Sequence, residues 1–99
     1  SITKEKIVTP EKFELMQNYP NPFNPTTVIS YQLPVNSVVI LKVYDILGKE
    51  VATLMNGNQN AGSYTYQFST SQYQLSSGLY FYRLQAGSFS SIKKMQLVK

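Results

Sequence analysis

The 99-residue chain contains no cysteine, no histidine and no tryptophan. Without cysteine there is no disulfide and no thiolate chemistry, and redox leaves no mark of the compartment. Without histidine the commonest general base and a common metal ligand are missing. Long apolar runs are absent too. None approaches the roughly 20 residues that span a bilayer. No basic-then-apolar leader opens the sequence, so an exported protein would carry its signal elsewhere in a longer chain.

Charge is sparse. The net formal charge is +4, carried by Lys4, Lys6, Lys12, Lys42, Lys49, Arg83, Lys93, Lys94 and Lys99. Only Lys93 and Lys94 are adjacent. Nucleic-acid binding wants a clustered basic footprint, and scattered cations serve solubility instead. The acids are Glu5, Glu11, Glu14, Asp45 and Glu50. Asp45 and Glu50 flank a turn, where aspartate commonly accepts backbone N–H groups. Serines are plentiful but none has a histidine or a placed lysine as base. No Walker sequence, dinucleotide fingerprint or metal spacing occurs. The chain is therefore read as a non-enzyme without cofactor or metal.

What is present is β-sequence. A chain of this length makes one domain with a thin core, burying roughly 60–70% of its unfolded surface. Residues 1–12 are polar and aperiodic and read as a linker or lead-in; residues 13–17 suggest a short strand. TVISYQL (27–33), SVVILKVYD (37–45), KEVATLM (49–55), SYTYQFS (63–69), LYFYRLQ (79–85) and FSSIKKMQLVK (89–99) read as strands. Between them Asp45–Gly48 and Ala86–Ser88 read as turns, and 56–63 and 69–78 as loops. About seven strands with closely spaced turns predict an all-β fold, an antiparallel β-sandwich of immunoglobulin-like type. Period-two alternation puts Val39, Leu41, Val43, Tyr64, Tyr66, Phe68, Tyr80, Tyr82, Leu84, Met95 and Leu97 inward. Arg83, Lys94 and Gln96 then face water. Leu47, at the tip of a turn, is expected to tuck back against the sheet, with an apolar contact surface as the alternative.

NYPNPFNPTT (18–27) stands apart. Pro20, Pro22 and Pro25 each fix φ near −65° and bias Tyr19, Asn21 and Asn24 away from the helical region. An extended connection follows, anchored on the sandwich through Tyr19 or Phe23, with asparagine side chains bonded to nearby backbone.

Taken in order, YPNPFNPTTVISYQLP (19–34), VVILKVYDILGKEVATLMNG (38–57), AGSYTYQF (61–68), LSSGLYFYRLQAG (75–87) and KKMQLVK (93–99) resemble the C-terminal sorting domain of the type IX (Por) secretion system of Bacteroidetes. The resemblance covers residues 13–99. It also extends, as a fold, to the immunoglobulin-like domain of the flagellar hook-capping protein. It implies a removable, non-catalytic tail on an N-terminal cargo domain. Such a tail is recognised by the type IX machinery at the outer membrane. A sortase-like cysteine peptidase usually cuts ahead of it, here in or upstream of residues 1–12. The cargo travels through the periplasm to the cell surface or the medium.

Carried over by position, the family's structural motif comprises Tyr19, Pro20, Asn21, Pro22, Phe23, Tyr44, Asp45, Gly48, Val51, Gly62 and Tyr64. The recognition candidates are Gly78, Tyr80, Lys93, Lys94 and Lys99, on the last hairpin. An edge strand with surface lysines suits docking by backbone pairing and charge. Two other readings stand beside this one. Alternating tyrosines would suit a sugar-stacking platform in a carbohydrate-binding or fibronectin-like module, unless they pack at the core. A hook-cap-like structural module is the third.

Overall fold

A computed structural model of the chain describes residues 9–99. Most of the expected lead-in lies outside the described residues; residues 9–12 form no strand. Seven strands follow: β1 (Glu14–Leu15), β2 (Thr26–Leu33), β3 (Ser37–Tyr44), β4 (Glu50–Gln59), β5 (Gly62–Ser69), β6 (Gly78–Ala86) and β7 (Phe89–Leu97). They form two antiparallel sheets, ordered β1-β2-β5 and β4-β3-β6-β7. The architecture is the all-β sandwich that the strand pattern predicts.

The core lies between the sheets, where alternate residues of each strand meet. Ile29, Tyr31, Leu33 and Phe68 come from one sheet. Val39, Leu41, Val43, Leu54, Tyr82, Leu84, Met95 and Leu97 come from the other. Each fully buried aliphatic or aromatic side chain stabilises the fold by roughly 1.5–3 kcal/mol. Tyr64 and Tyr66 lie on the expected face but are only half-buried against this core, because β5 is an edge strand.

Two expectations are corrected. Residues 56–63 are not a loop: β4 runs to Gln59, β5 starts at Gly62, and only Asn60 and Ala61 join them. The polar run NGNQ pairs fully with β3, from Ile40 opposite Asn56 to Ser37 opposite Gln59. An edge strand needs only one apolar face, and here even that face is served by Gly57 and Gln59. Leu47 does not tuck back; it is 88% exposed. The turn at Asp45 is too tight for its tip to reach the sheet. The Asp45 carboxylate accepts the N–H groups of Leu47 and Lys49, both at 2.9 Å, and Gly48 closes the turn at φ +84°.

Candidate functional site

Gly78, Tyr80 and Lys99 meet at one end of the sandwich, where the last hairpin returns to its start. Gly78 stands opposite Leu97, and Tyr80 opposite Met95. Gly78 opens β6 at φ +151°, a conformation that side chains disfavour. The Tyr80 ring is buried and its hydroxyl donates to the Ser76 carbonyl at 2.7 Å. The Lys99 backbone N–H donates to the Ser77 hydroxyl at 3.0 Å. The Ser76–Gly78 bend is thus tied both to the core and to residue 99.

The two adjacent lysines separate. Lys93 is opposite Tyr82, on the core-facing side of β7, and is half-buried there. Lys94 is opposite Phe81 on the outer side and is exposed. They present charge to two different surfaces and form no single patch.

β7 is an edge strand, but its edge is not free. Phe23 N–H donates to the Gln96 carbonyl, and Val98 N–H donates to the Phe23 carbonyl, both at 2.9 Å. The Asn21 side-chain oxygen accepts from Gln96 N–H at 2.9 Å. Gln17 Nε2 donates to the Lys94 carbonyl at 2.6 Å. Gln17 and the proline segment together therefore cover the edge from residue 94 to residue 98. Backbone pairing by a receptor strand at this stretch requires that cover to be displaced. Of the two anchor candidates, Phe23 is buried, with 2% exposure, and Tyr19 is 80% exposed. Phe23 packs tilted against Phe68 at 6.3 Å between ring centroids. The expected asparagine bonds are present at Asn18, which reaches the Pro20 carbonyl, and at Asn21, which reaches a distant strand.

Beside the Ser76–Gly78 bend lies an open groove of about 400 Å³, between the Asp45–Gly48 turn and residues 74–80. Ile46, Leu47 and Leu79 line it and are exposed. Sequence reasoning did not join these residues, because the turn and the loop are remote along the chain.

The other motif residues sit in the frame. Tyr44 and Val51 are half-buried on either side of the β3–β4 turn. The Tyr64 ring stacks on Tyr31 at 5.5 Å, and its hydroxyl donates to the Asn60 carbonyl. Tyr31 in turn donates to Gln59 Oε1. Burial raises the Tyr31 phenol above its ordinary value. Tyr80 and Tyr82 are interior, which removes them from any sugar-stacking platform. The acids at the turn are engaged: Glu50 accepts from Thr53 at 2.6 Å and pairs with Lys42 at 3.0 Å, and these contacts lower its pKa. Among the described residues no three His, Cys, Asp or Glu side chains gather at a metal-binding spacing. No described helix is long and apolar enough to cross a membrane.

Comparison with known proteins agrees with the motif series. The family described as "Secretion system C-terminal sorting domain" matches residues 17–98. No curated protein sequence matches the chain. Among solved structures, dimeric latent PorU from Porphyromonas gingivalis is similar in fold, with a TM-score of 0.68 at 18% identity. That likeness covers 92% of this chain and 10% of the PorU chain, so the chain spans about a tenth of the length of that protein. With the motif series in place from the proline segment to the terminal lysines, the chain belongs to the secretion system C-terminal sorting domain family, the tail of type IX (Por) secretion.

Proposed function

We propose that the chain is the non-catalytic address of a larger exported protein. A cargo domain precedes it in the precursor, and residues 13–99 form the address. The type IX machinery at the outer membrane recognises the folded domain, and a sortase-like cysteine peptidase cuts in or ahead of residues 1–12. The cargo reaches the cell surface or the medium by way of the periplasm. Lys93, Lys94 and Lys99 supply charge for recognition, while Gly78 and Tyr80 shape the end of the hairpin that carries them. The observation that carries this reading is the family match over residues 17–98. The engagement of Asp45 and Glu50 in the turn and the ion pair supports a role other than catalysis.

A fusion of a periplasm-directed reporter to the chain tests it. The reporter should reach the surface or medium of a type IX-competent host and stay in the periplasm of a strain lacking that system. Equal release from both strains would overturn the reading. Deleting residues 89–99 is a poorer test, because it removes Met95 and Leu97 from the core.

A further inference from the structure

The outer face of the four-stranded sheet turns away from the core and carries two cross-strand rows. Lys42, Arg83 and Ile92 are neighbours in one; Tyr44, Phe81 and Lys94 are neighbours in the other. Ile92 is 59% exposed, and Tyr44 and Phe81 are half-buried. With Gly48 of the turn, Tyr44, Phe81, Arg83 and Ile92 line a mostly apolar concavity of about 370 Å³.

Two properties are unfavourable for a face that meets only water. Lys42 and Arg83 stand directly opposite one another, and like charges so placed destabilise a sheet. Glu50 offsets Lys42, but Arg83 Nε donates only to the neutral Ser90 hydroxyl, at 3.0 Å. Among the described residues no carboxylate lies within ion-pair distance of Arg83 or Lys94. The apolar floor between these cations is the second. Aromatic and aliphatic groups bordered by arginine have the composition of a contact surface.

We propose that this face docks an acidic protein partner, which seats an aliphatic or aromatic side chain on Tyr44, Phe81 and Ile92 and sets carboxylates against Arg83 and Lys94. Charge complementarity selects the partner: the face has two cations without a counter-ion among the described residues, and a concavity that polyanions alone do not fill. Nucleic acid fits less well, because apolar groups interrupt the cations that would track phosphates. The proposal rests on the sorting reading only in placing the partner within the export machinery.

The test uses the full chain and a random copolymer of glutamate and tyrosine, at about 150 mM salt so that distant charges are screened. Polyglutamate and a single-stranded oligonucleotide are the comparison probes. The copolymer should bind at least about tenfold more tightly than either. Arg83→Glu should weaken that binding by about tenfold, and Lys12→Glu, the same charge change elsewhere, by less than about twofold. Ile92→Ser should erase the advantage over polyglutamate. All three positions are exposed or half-exposed, and circular dichroism confirms folding; Arg83→Gln serves if the reversal unfolds the chain. Equal loss in Arg83→Glu and Lys12→Glu, no preference for the copolymer, or tighter oligonucleotide binding would each overturn the proposal. These outcomes are independent of reporter export, so failure of the docking face and failure of the sorting reading are distinguishable.

Discussion

Phe23 and Leu97 pair in parallel, so that the proline segment and the last strand form one structural unit across most of the sequence. The pairing fills hydrogen-bonding groups that an edge strand otherwise offers to other chains. It also places the Phe23 ring at the end of the core, against Phe68. Phe23→Ala should therefore lower stability by about 3–5 kcal/mol, the cost of losing a buried aromatic. Tyr19→Ala, at an exposed ring in the same segment, should stay within about 0.5 kcal/mol. Chemical denaturation of both variants checks the contrast. Equal effects would mean that the segment acts by backbone stiffness alone.

Much of this frame was legible in the sequence because period two is a strong local signal. Val39, Leu41, Val43, Tyr82, Leu84, Met95 and Leu97 all fall on the face that alternation assigns them. The proline segment was legible as an anchor, but not as the cover of β7. Asn21 and Gln96 are 75 residues apart, and no local pattern encodes that contact. The end of β4 was misread because Asn56–Gln59 has the composition of a loop, while its pairing with β3 is set by tertiary context. Alternation also made Lys94 legible as solvent-facing, because adjacent strand residues point to opposite faces, but not the half-burial of Lys93 on the core side.

The Asp45 turn separates two energetic contributions. The Asp45 carboxylate accepts two backbone N–H groups, so Asp45→Ala should cost about 1–2 kcal/mol, comparable to the loss of a helix cap. Asp45→Asn keeps the acceptor oxygen and should recover most of it. Gly48→Ala meets no atom within 4 Å of the added carbon. Its cost should be conformational alone, about 1–2 kcal/mol for a side chain at positive φ. Thermal melting of the three variants gives the order; a neutral Gly48→Ala would show that the turn rearranges.

Alkaline pH should destabilise the domain through Tyr82. Burial pushes its phenol up to about 12, against a backbone hydrogen bond from Asn18, whereas an unfolded tyrosine titrates near about 10. Between those values the unfolded chain has lost a proton that the folded chain keeps. Stability is thus intact below pH about 10 and declines as pH rises towards about 12. Tyr31, also raised by burial, adds a component of the same sign. Tyr82→Phe should flatten this decline, while losing at neutral pH about 1 kcal/mol for the missing bond to the Met16 carbonyl. Denaturation series at several pH values check both; parallel curves for the two proteins would refute the assignment.

Thr27 is the sharpest test of how the proline segment is held. It is buried, with 1% exposure, beside the equally buried Asn18. Its hydroxyl accepts from Asn18 Nδ2 at 3.0 Å and donates to the Pro20 carbonyl at 2.8 Å. Valine has nearly the same shape and would pack as well, but it leaves one buried Asn18 N–H without its partner. Thr27→Val should then cost about 1–3 kcal/mol despite its greater hydrophobicity. If Thr27 were only a spacer, the substitution would be neutral or stabilising. Urea unfolding decides between them, provided the slope with denaturant is unchanged, which shows that the same surface is exposed in both proteins.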